Sequence, residues 1–314
     1  MKVIVSDPIS EDGLNIFYEN NIEVIDATDA VIDQNYEHIA SANGWVIRSG
    51  TVLDSSIISK ADNLSVIGRA GVGIDNVDIS AATRKGVVVM NTPDANTISA
   101  AEHTMALILS LSRNVSYGHQ SILNGEWKRH KFVGSELRKK TLGIIGLGKI
   151  GREVMQRALG FNMKILGFDP FIKEDILRLD EITLLDLNKL VKQSDFITIH
   201  IPLTNDTKNL FNYEMLSRMK KNARIINVAR GGIINEPDLA KALKQGEIAG
   251  AALDVFENEP IEPSNELLSA PNLILTPHLG GSTTEAKAGV STAICNQIKN
   301  YLINEDLENA VNFP

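Results

Sequence analysis

Eleven short apolar runs punctuate the chain, among them KVIVSD, GWVIRS, VVVMNT, TLGIIG, DFITIHIP and NLILTP. Most are unbroken stretches of Val, Ile and Leu rather than alternating apolar and polar residues. A strand that faces water on one side needs a polar residue at every second position, so unbroken runs belong to strands covered on both faces. Helical patterns separate most of them, which is the signature of repeated βαβ units and a parallel sheet. Few other architectures accommodate this pattern, and the fold class is therefore α/β.

At 314 residues the chain exceeds what a single core usually serves, so two domains are expected. The transitions near 92–97 and 280–284 are sharp, which suggests that one domain is inserted into the other. A helix is expected over about 97–118, with Ser99 and Glu102 at capping-box spacing. It is apolar on more than one face, as a helix buried against a neighbour or a partner subunit would be. A last helix is expected over about 283–303.

The net charge of −8 disfavours a general nucleic-acid binder or an anionic-membrane binder. No apolar stretch is long enough to span a bilayer, and no signal peptide is visible in MKVIVSDP. Cys295 is the only cysteine, which excludes an intrachain disulfide and suits a reducing, cytoplasmic setting. Its apolar helical surroundings suggest a buried thiol. No metal site is expected.

The stretch TLGIIGLGKIGREVMQRALG places Gly146, Gly148 and Gly151 between a strand and a helix. In that context Gly146 permits a tight turn, Gly148 lets a pyrophosphate approach the backbone, and Gly151 lets helix and strand pack closely. The helix N-terminus offers N–H donors and a positive dipole end to phosphates. A second strand ends in Asp169, 23 residues on (169 − 146). Its carboxylate suits a ribose diol and repels a 2′-phosphate, so NAD is expected rather than NADP. A second GxG, Gly71 and Gly73 in GRAGVGIDNVD, lacks a third glycine and an amphipathic helix start. It reads either as a tight turn or as a nest of N–H groups for a carboxylate.

Six histidines are candidates for proton transfer. His38, His103 and His119 lie in helical patterns and His130 in the basic run 126–140, where surface or packing roles suffice. His200 and His278 end strands, where open α/β sheets gather their ligands. Taken alone, either could be a core-edge ring satisfied by backbone. Two more strand ends carry Arg230, in NVARGG, and Asp254, Glu257 and Glu259, in ALDVFENEP. An arginine to clamp a carboxylate and polarise a carbonyl, a histidine to exchange a proton, and a carboxylate to hold that histidine's tautomer are what 2-keto acid chemistry needs.

GLGKIG, NVARGG, ALDVFENEP and TPHLGGST, in this order and spacing, resemble the D-isomer-specific 2-hydroxyacid dehydrogenase family across nearly the whole chain. The resemblance implies two Rossmann- or flavodoxin-like domains. A nucleotide-binding domain, 94–281, is inserted in a discontinuous substrate-binding domain, 1–93 and 282–314. It implies Arg230, Glu259 and His278 as the catalytic trio and NAD as the cofactor. The implied cofactor site comprises Val72, Gly146, Gly148, Lys149, Ile150, Gly151, Asp169, His200, Ile201, Pro202, Val228, Ala229, Asp254, Gly280 and Gly281. A homodimer through the helix near 97–118 is implied as well.

The stretches GRAGVGIDNVDISAATRKGVVVMNTPDANTISAAEHTMALIL and EWKRHKFVGSEL resemble a branch of the family whose substrate carries a phosphate as well as a carboxylate. On that resemblance Arg48 and Arg69 approach the anionic groups, the Val72–Gly73 turn meets the carboxylate, and Arg129 is contributed across the dimer. The basic run 126–140 would then belong to an anion site, although a solvated basic face explains it equally well. A glyoxylate or hydroxypyruvate reductase would not need Arg69 or Arg129, and an NAD-sensing scaffold would need no catalytic trio. Two departures stand out. Val72 occupies a position where other members carry threonine, and the chain stops at LENAVNFP without the C-terminal regulatory domain of many members. Feedback inhibition through such a domain is therefore not expected.

Overall fold

A computed structural model describes residues 1–28, 36–172 and 181–314. The chain divides into two compact units, Met1–Thr97 with Gly281–Pro314, and Ile98–Gly280. The junctions lie at 97/98 and 280/281, against the expected 93/94 and 281/282.

The first unit carries a five-stranded parallel sheet of β1 (Lys2–Val5), β2 (Glu23–Asp26), β3 (Gly44–Ile47), β4 (Val66–Arg69) and β5 (Val88–Asn91). Their order is β2-β1-β3-β4-β5, the flavodoxin-like arrangement. Helices α1 (Glu11–Glu19), α2 (Tyr36–Ser41), α3 (Ser55–Lys60) and α4 (Ile79–Lys85) alternate with the strands. Asp54 and Asp78 cap α3 and α4 by accepting main-chain N–H groups of the first turn, each worth about 1 kcal/mol. One sheet face packs on Trp45, Leu53 and Ile67, and the other on Phe17, Ile294 and Ile298.

The second unit holds a seven-stranded parallel sheet. Its strands are β6 (Thr141–Ile145), β7 (Lys164–Phe168), β8 (Thr183–Leu184), β9 (Phe196–Ile199), β10 (Arg224–Asn227), β11 (Gly250–Leu253) and β12 (Leu273–Leu275). The order β12-β11-β10-β9-β6-β7-β8 reverses direction between β6 and β9, as in the Rossmann fold. Strands β9 and β11 are buried at every residue, which is why FITI and GAAL read as unbroken apolar runs. The α/β expectation holds.

Two helix expectations do not. The helix expected over 97–118 is two helices, α5 (Thr97–Arg113) and α6 (Val115–Leu123), broken at Asn114, whose φ of 53° is left-handed. Asparagine tolerates that conformation better than most residues. The capping box is also displaced. Because α5 starts at Thr97, Ser99 lies buried within its first turn, and Glu102 pairs instead with Arg157 at 3.5 Å. Among the described residues, the remaining α-helices of this unit are α7 (Lys149–Gly160), α8 (Leu187–Gln193), α9 (Tyr213–Ser217) and α10 (Glu236–Gln245). The last helix, α11 (Thr284–Asn304), belongs to the first unit and buries Cys295, whose thiol is pushed up to about 12 by that burial. None of the described helices is long and apolar enough to cross a membrane.

Candidate active site

The carboxyl ends of β6, β7, β9, β10, β11 and β12 deliver the candidate residues of the second unit, apart from Arg129. After β6 the chain turns at Gly146, with φ 92°, where a Cβ would lie 2.4 Å from the His200 carbonyl oxygen at the end of β9. Gly151 is equally constrained, since its Cβ would meet the Gly146 oxygen at 2.0 Å. Gly148 differs: a Cβ there meets no atom within 4 Å. It is also the N-cap of α7, with no side chain capping the helix. Close packing at two glycines and open space at the third leave a cradle at a helix N-terminus, which fits a pyrophosphate.

Asp169, just past β7, accepts from the Leu147 and Phe171 N–H groups at 2.8 and 2.9 Å, so its carboxylate borders the glycine turn. Lys149 and Ile150 open α7, and Ile201 and Pro202 come directly after His200. Dense surroundings push the His200 imidazole down to about 3, and its Nε2 lies 2.9 Å from the Thr198 hydroxyl. His200 is therefore neutral at physiological pH and poorly suited to proton exchange.

Arg230 lies past the end of β10, where the Asn227 side chain donates to its carbonyl at 2.8 Å. Val228 and Ala229 precede it on the same turn. At Gly231 a Cβ would fall 1.8 Å from the Phe256 oxygen, so the Arg230 turn packs directly on the loop after β11. That loop carries Glu259, whose Oε1 accepts the Phe256 N–H at 3.0 Å and whose Oε2 lies 2.7 Å from His278 Nδ1. Burial works to raise the Glu259 pKa. The hydrogen bonds from His278 and Phe256, with the histidine's charge, outweigh it and hold the carboxyl below its usual range. An ionised Glu259 is acceptor-only, so His278 Nδ1 carries a proton and Nε2 is left as the exchanging atom. The His278 side chain is 47% exposed, and that nitrogen is within reach of a ligand.

Asp254 fixes the turn that presents His278. Its carbonyl accepts the His278 N–H at 2.9 Å. Its carboxylate accepts from Leu279 and Gly280 N–H at 2.8 and 2.7 Å and from the Thr276 hydroxyl at 2.6 Å. These bonds hold His278 at φ 53°, a left-handed conformation that costs about 1–2 kcal/mol for a residue with a Cβ. His103 also reaches Asp254, with Nε2 at 3.1 Å from Oδ1 and 3.2 Å from Thr276 Oγ1. The threonine proton is directed at Asp254, so Nε2 of His103 is the donor to both. Burial favours a raised Asp254 pKa, but bonds from His103, Thr276 and Leu279 prevail and lower it. The helical pattern around His103 points only to a surface or packing role; its contact here depends on a partner 151 residues away.

The substrate-side residues Arg48, Arg69, Val72 and Gly73 lie in the first unit. Asp7 accepts the Arg48 and Thr51 N–H groups at 2.6 and 3.1 Å, and Arg48 Nη1 donates to the Pro8 carbonyl at 3.3 Å. Asn91 donates to the Val72 carbonyl at 2.7 Å. Gly281 also falls in this unit, beside Asn96. Arg129 is exposed in a short 3₁₀ turn, Arg129–Phe132, of the second unit. Thus the structure brings Glu259 and His278 into contact and sets Arg230 on an adjoining strand end. Arg48 and Arg69 belong to the other unit.

Residues 105–280 match the family described as D-isomer specific 2-hydroxyacid dehydrogenase, NAD binding domain. The chain is 48% identical to a D-3-phosphoglycerate dehydrogenase from Methanocaldococcus jannaschii, over 100% of this chain and 60% of that protein. It is 44% identical to one from Synechocystis, over 100% of this chain and 56% of that protein. It therefore spans about 60% of the length of these relatives. Among solved structures, an NAD-dependent formate dehydrogenase from Staphylococcus aureus in complex with NAD matches with a TM-score of 0.88 and 31% identity, covering 100% of this chain and 99% of that one. With a family match over more than half its length, at the unit that carries the glycine cradle and the Glu259–His278 pair, the chain belongs to the D-isomer specific 2-hydroxyacid dehydrogenase family.

Proposed function

We propose that this chain oxidises 3-phospho-D-glycerate to 3-phosphohydroxypyruvate with NAD as cofactor, a step of serine biosynthesis. The observation that carries the chemistry is the 2.7 Å contact between His278 Nδ1 and Glu259. The relatives named D-3-phosphoglycerate dehydrogenase carry the choice of substrate.

NAD suits the cradle at Gly146, Gly148 and Gly151, with Asp169 toward the ribose. Bound NAD⁺ supplies the acceptor for the hydride that leaves C2 of the substrate. Arg230 holds the substrate carboxylate by charge-assisted hydrogen bonds and polarises the adjoining C–O bond. His278 Nε2 takes the hydroxyl proton as that oxygen becomes a carbonyl. The resulting imidazolium is stabilised by Glu259 through Nδ1–H. Arg48, Arg69 and Arg129 supply positive charge for the phosphate, and the Val72–Gly73 turn supplies N–H groups for the carboxylate.

The same reading includes a homodimer through α5 and α6. Val115, Ile122 and Leu123 on α6 are exposed, as is Trp127 just beyond it. The buried hydroxyls of Ser116 and Tyr117 have no hydrogen-bond partner among the described residues. Sedimentation of the purified chain as a monomer at micromolar concentration would remove that part of the reading.

Purified protein given NAD and 3-phosphoglycerate, with the keto product trapped, is expected to form NADH. His278→Ala is expected to lower kcat by about 10²–10⁴-fold. No NADH from this substrate alongside good turnover of glyoxylate would replace the proposal with a glyoxylate reductase. Full turnover by His278→Ala would remove the histidine from the chemistry, whereas lost turnover with an intact cellular phenotype would favour an NAD-sensing scaffold.

A further inference from the structure

Glu259 sits on a loop with little core of its own, yet its carboxylate must meet His278 within tenths of an ångström. What holds that loop is a second carboxylate. Glu236, the first residue of α10, is 6% exposed. Its Oε1 accepts the Glu257 N–H at 2.7 Å, and its Oε2 accepts from the Asn265 side-chain amide at 2.6 Å. One buried group thus bridges the two ends of the 257–265 segment, and Glu259 lies between the anchors. Each anchor is fixed in turn. The Phe256 carbonyl beside Glu257 abuts Gly231, and Asn265 Oδ1 accepts the Leu267 N–H at 2.9 Å, capping the 3₁₀ turn Glu266–Ser269. Asn235 caps α10 by accepting the Asp238 N–H, so the helix end bearing Glu236 is itself rigid.

A buried carboxylate is an expensive way to fasten a loop, because desolvating it must be offset by short charge-assisted bonds. Its merit is that both oxygens accept, so two donors are gathered by one rigid planar group. We propose that Glu236 is a positioning residue: it sets the base of the Glu259 loop and thereby the Glu259–His278 contact. This rests on the reading of that pair as the acid–base apparatus.

The hydrogen-bond polarity gives a specific test. In Glu236→Gln the amide keeps one acceptor for the Glu257 N–H but turns an NH₂ toward the Asn265 NH₂. Asn265 cannot flip without losing its bond to Leu267. In Asn265→Asp two carboxylates face each other. The double variant restores complementarity, since the introduced amide donates to one oxygen of the introduced carboxylate while the other oxygen still caps Leu267. Each single variant is expected to lose about 10- to 100-fold in kcat, the scale of an ångström-level misplacement, with the Kd for NAD within about twofold. The double variant is expected to recover to within about threefold of the parent.

The ring ¹⁵N shifts of His278, assigned by comparison with His278→Gln, report the Nδ1 hydrogen bond without reference to turnover. They are expected to move in both single variants and to return in the double. Unchanged His278 shifts in both single variants, or a double variant no better than either, would overturn the proposal. Should His278→Gln itself retain full turnover, the acid–base reading falls while the ¹⁵N shifts still decide the role of Glu236.

Discussion

The chain contains two GxG turns, each at the carboxyl end of a parallel strand, and they are built for opposite purposes. After β6, Gly148 stands in open space at the uncapped start of α7. After β4, the space over Gly71 is already filled, because a Cβ there would sit 1.7 Å from Arg69 Nη1. The next helix, α4, is closed by Asp78, which accepts the Ala81 N–H. Asn76 spans the intervening loop, donating to the Arg48 and Thr51 carbonyls at 2.6 and 2.5 Å. The turn after β6 therefore leaves main-chain N–H groups and a helix dipole uncovered. The turn after β4 presents a guanidinium held against the backbone. The glycine pattern alone does not separate the two; the open or capped helix start beyond each turn does.

The largest effect is expected where the turn after β6 is tightest. At Gly151 the obstructing atom is a main-chain oxygen, which cannot swing away. Gly151→Val is expected to destabilise the second unit by about 3 kcal/mol, as overpacking does, and to abolish measurable NAD binding. Urea unfolding and calorimetric titration check both. Retained NAD affinity would mean that the turn is not the cofactor cradle.

His200 sharpens the contrast through pH, since its carbonyl closes the same turn and its imidazole is pushed down to about 3. The folded ring stays neutral while the unfolded ring takes a proton below about 6.5. Stability is therefore fully present above that pH and is lost as the pH falls toward 3, by at most about 1.4 kcal/mol per unit. Glu259 and Asp254 are held below the usual carboxylate range, so their contributions persist until about pH 4 and do not obscure the window above it. His200→Gln is expected to flatten the dependence of the urea midpoint between about pH 6.5 and about pH 5. An unchanged slope would show that His200 is protonated as freely as in the unfolded chain.

Gly71→Ala probes the turn after β4. It places a Cβ at φ 142°, a conformation that costs roughly 1–3 kcal/mol, and it displaces the Arg69 guanidinium. The expected outcome is a raised KM for the phosphorylated acid with an unaltered Kd for NAD. An equal rise in both would erase the distinction between the turns.

The legibility of these features in the sequence depends on their range. A strand buried on both faces is visible within a handful of residues, and every described strand except β8 lies on an apolar run, although β2, at the edge of its sheet, has no buried residue. Strand β8 is invisible because Thr183–Leu184 is two residues long and only partly covered. The break at Asn114 is hidden because apolar spacing continues through LSRNVSYG, and only the backbone conformation interrupts it. Arg230, Glu259 and His278 are readable as strand-end residues of the right chemistry. His103 and Glu236 are not, since their meaning lies in Asp254, Glu257 and Asn265, contacts made by the fold rather than by the local pattern.

The smallest effect on folding is expected at Gly148, and it separates the two turns most cleanly. Its φ of −66° and ψ of −165° suit any residue, and an added Cβ touches nothing within 4 Å. Gly148→Ala should cost no more than about 1 kcal/mol, the difference between glycine and alanine at an N-cap. The same methyl group would occupy the space through which a pyrophosphate approaches the α7 N–H groups, so the Kd for NAD should rise by about tenfold or more. Of Gly71, Gly148 and Gly151, only Gly148 should uncouple cofactor binding from stability. Gly151 loses both together, and Gly71 gives up substrate affinity with part of its own unit's stability. A Gly148→Ala protein that binds NAD normally would place the cofactor elsewhere and leave the open space at α7 without a purpose.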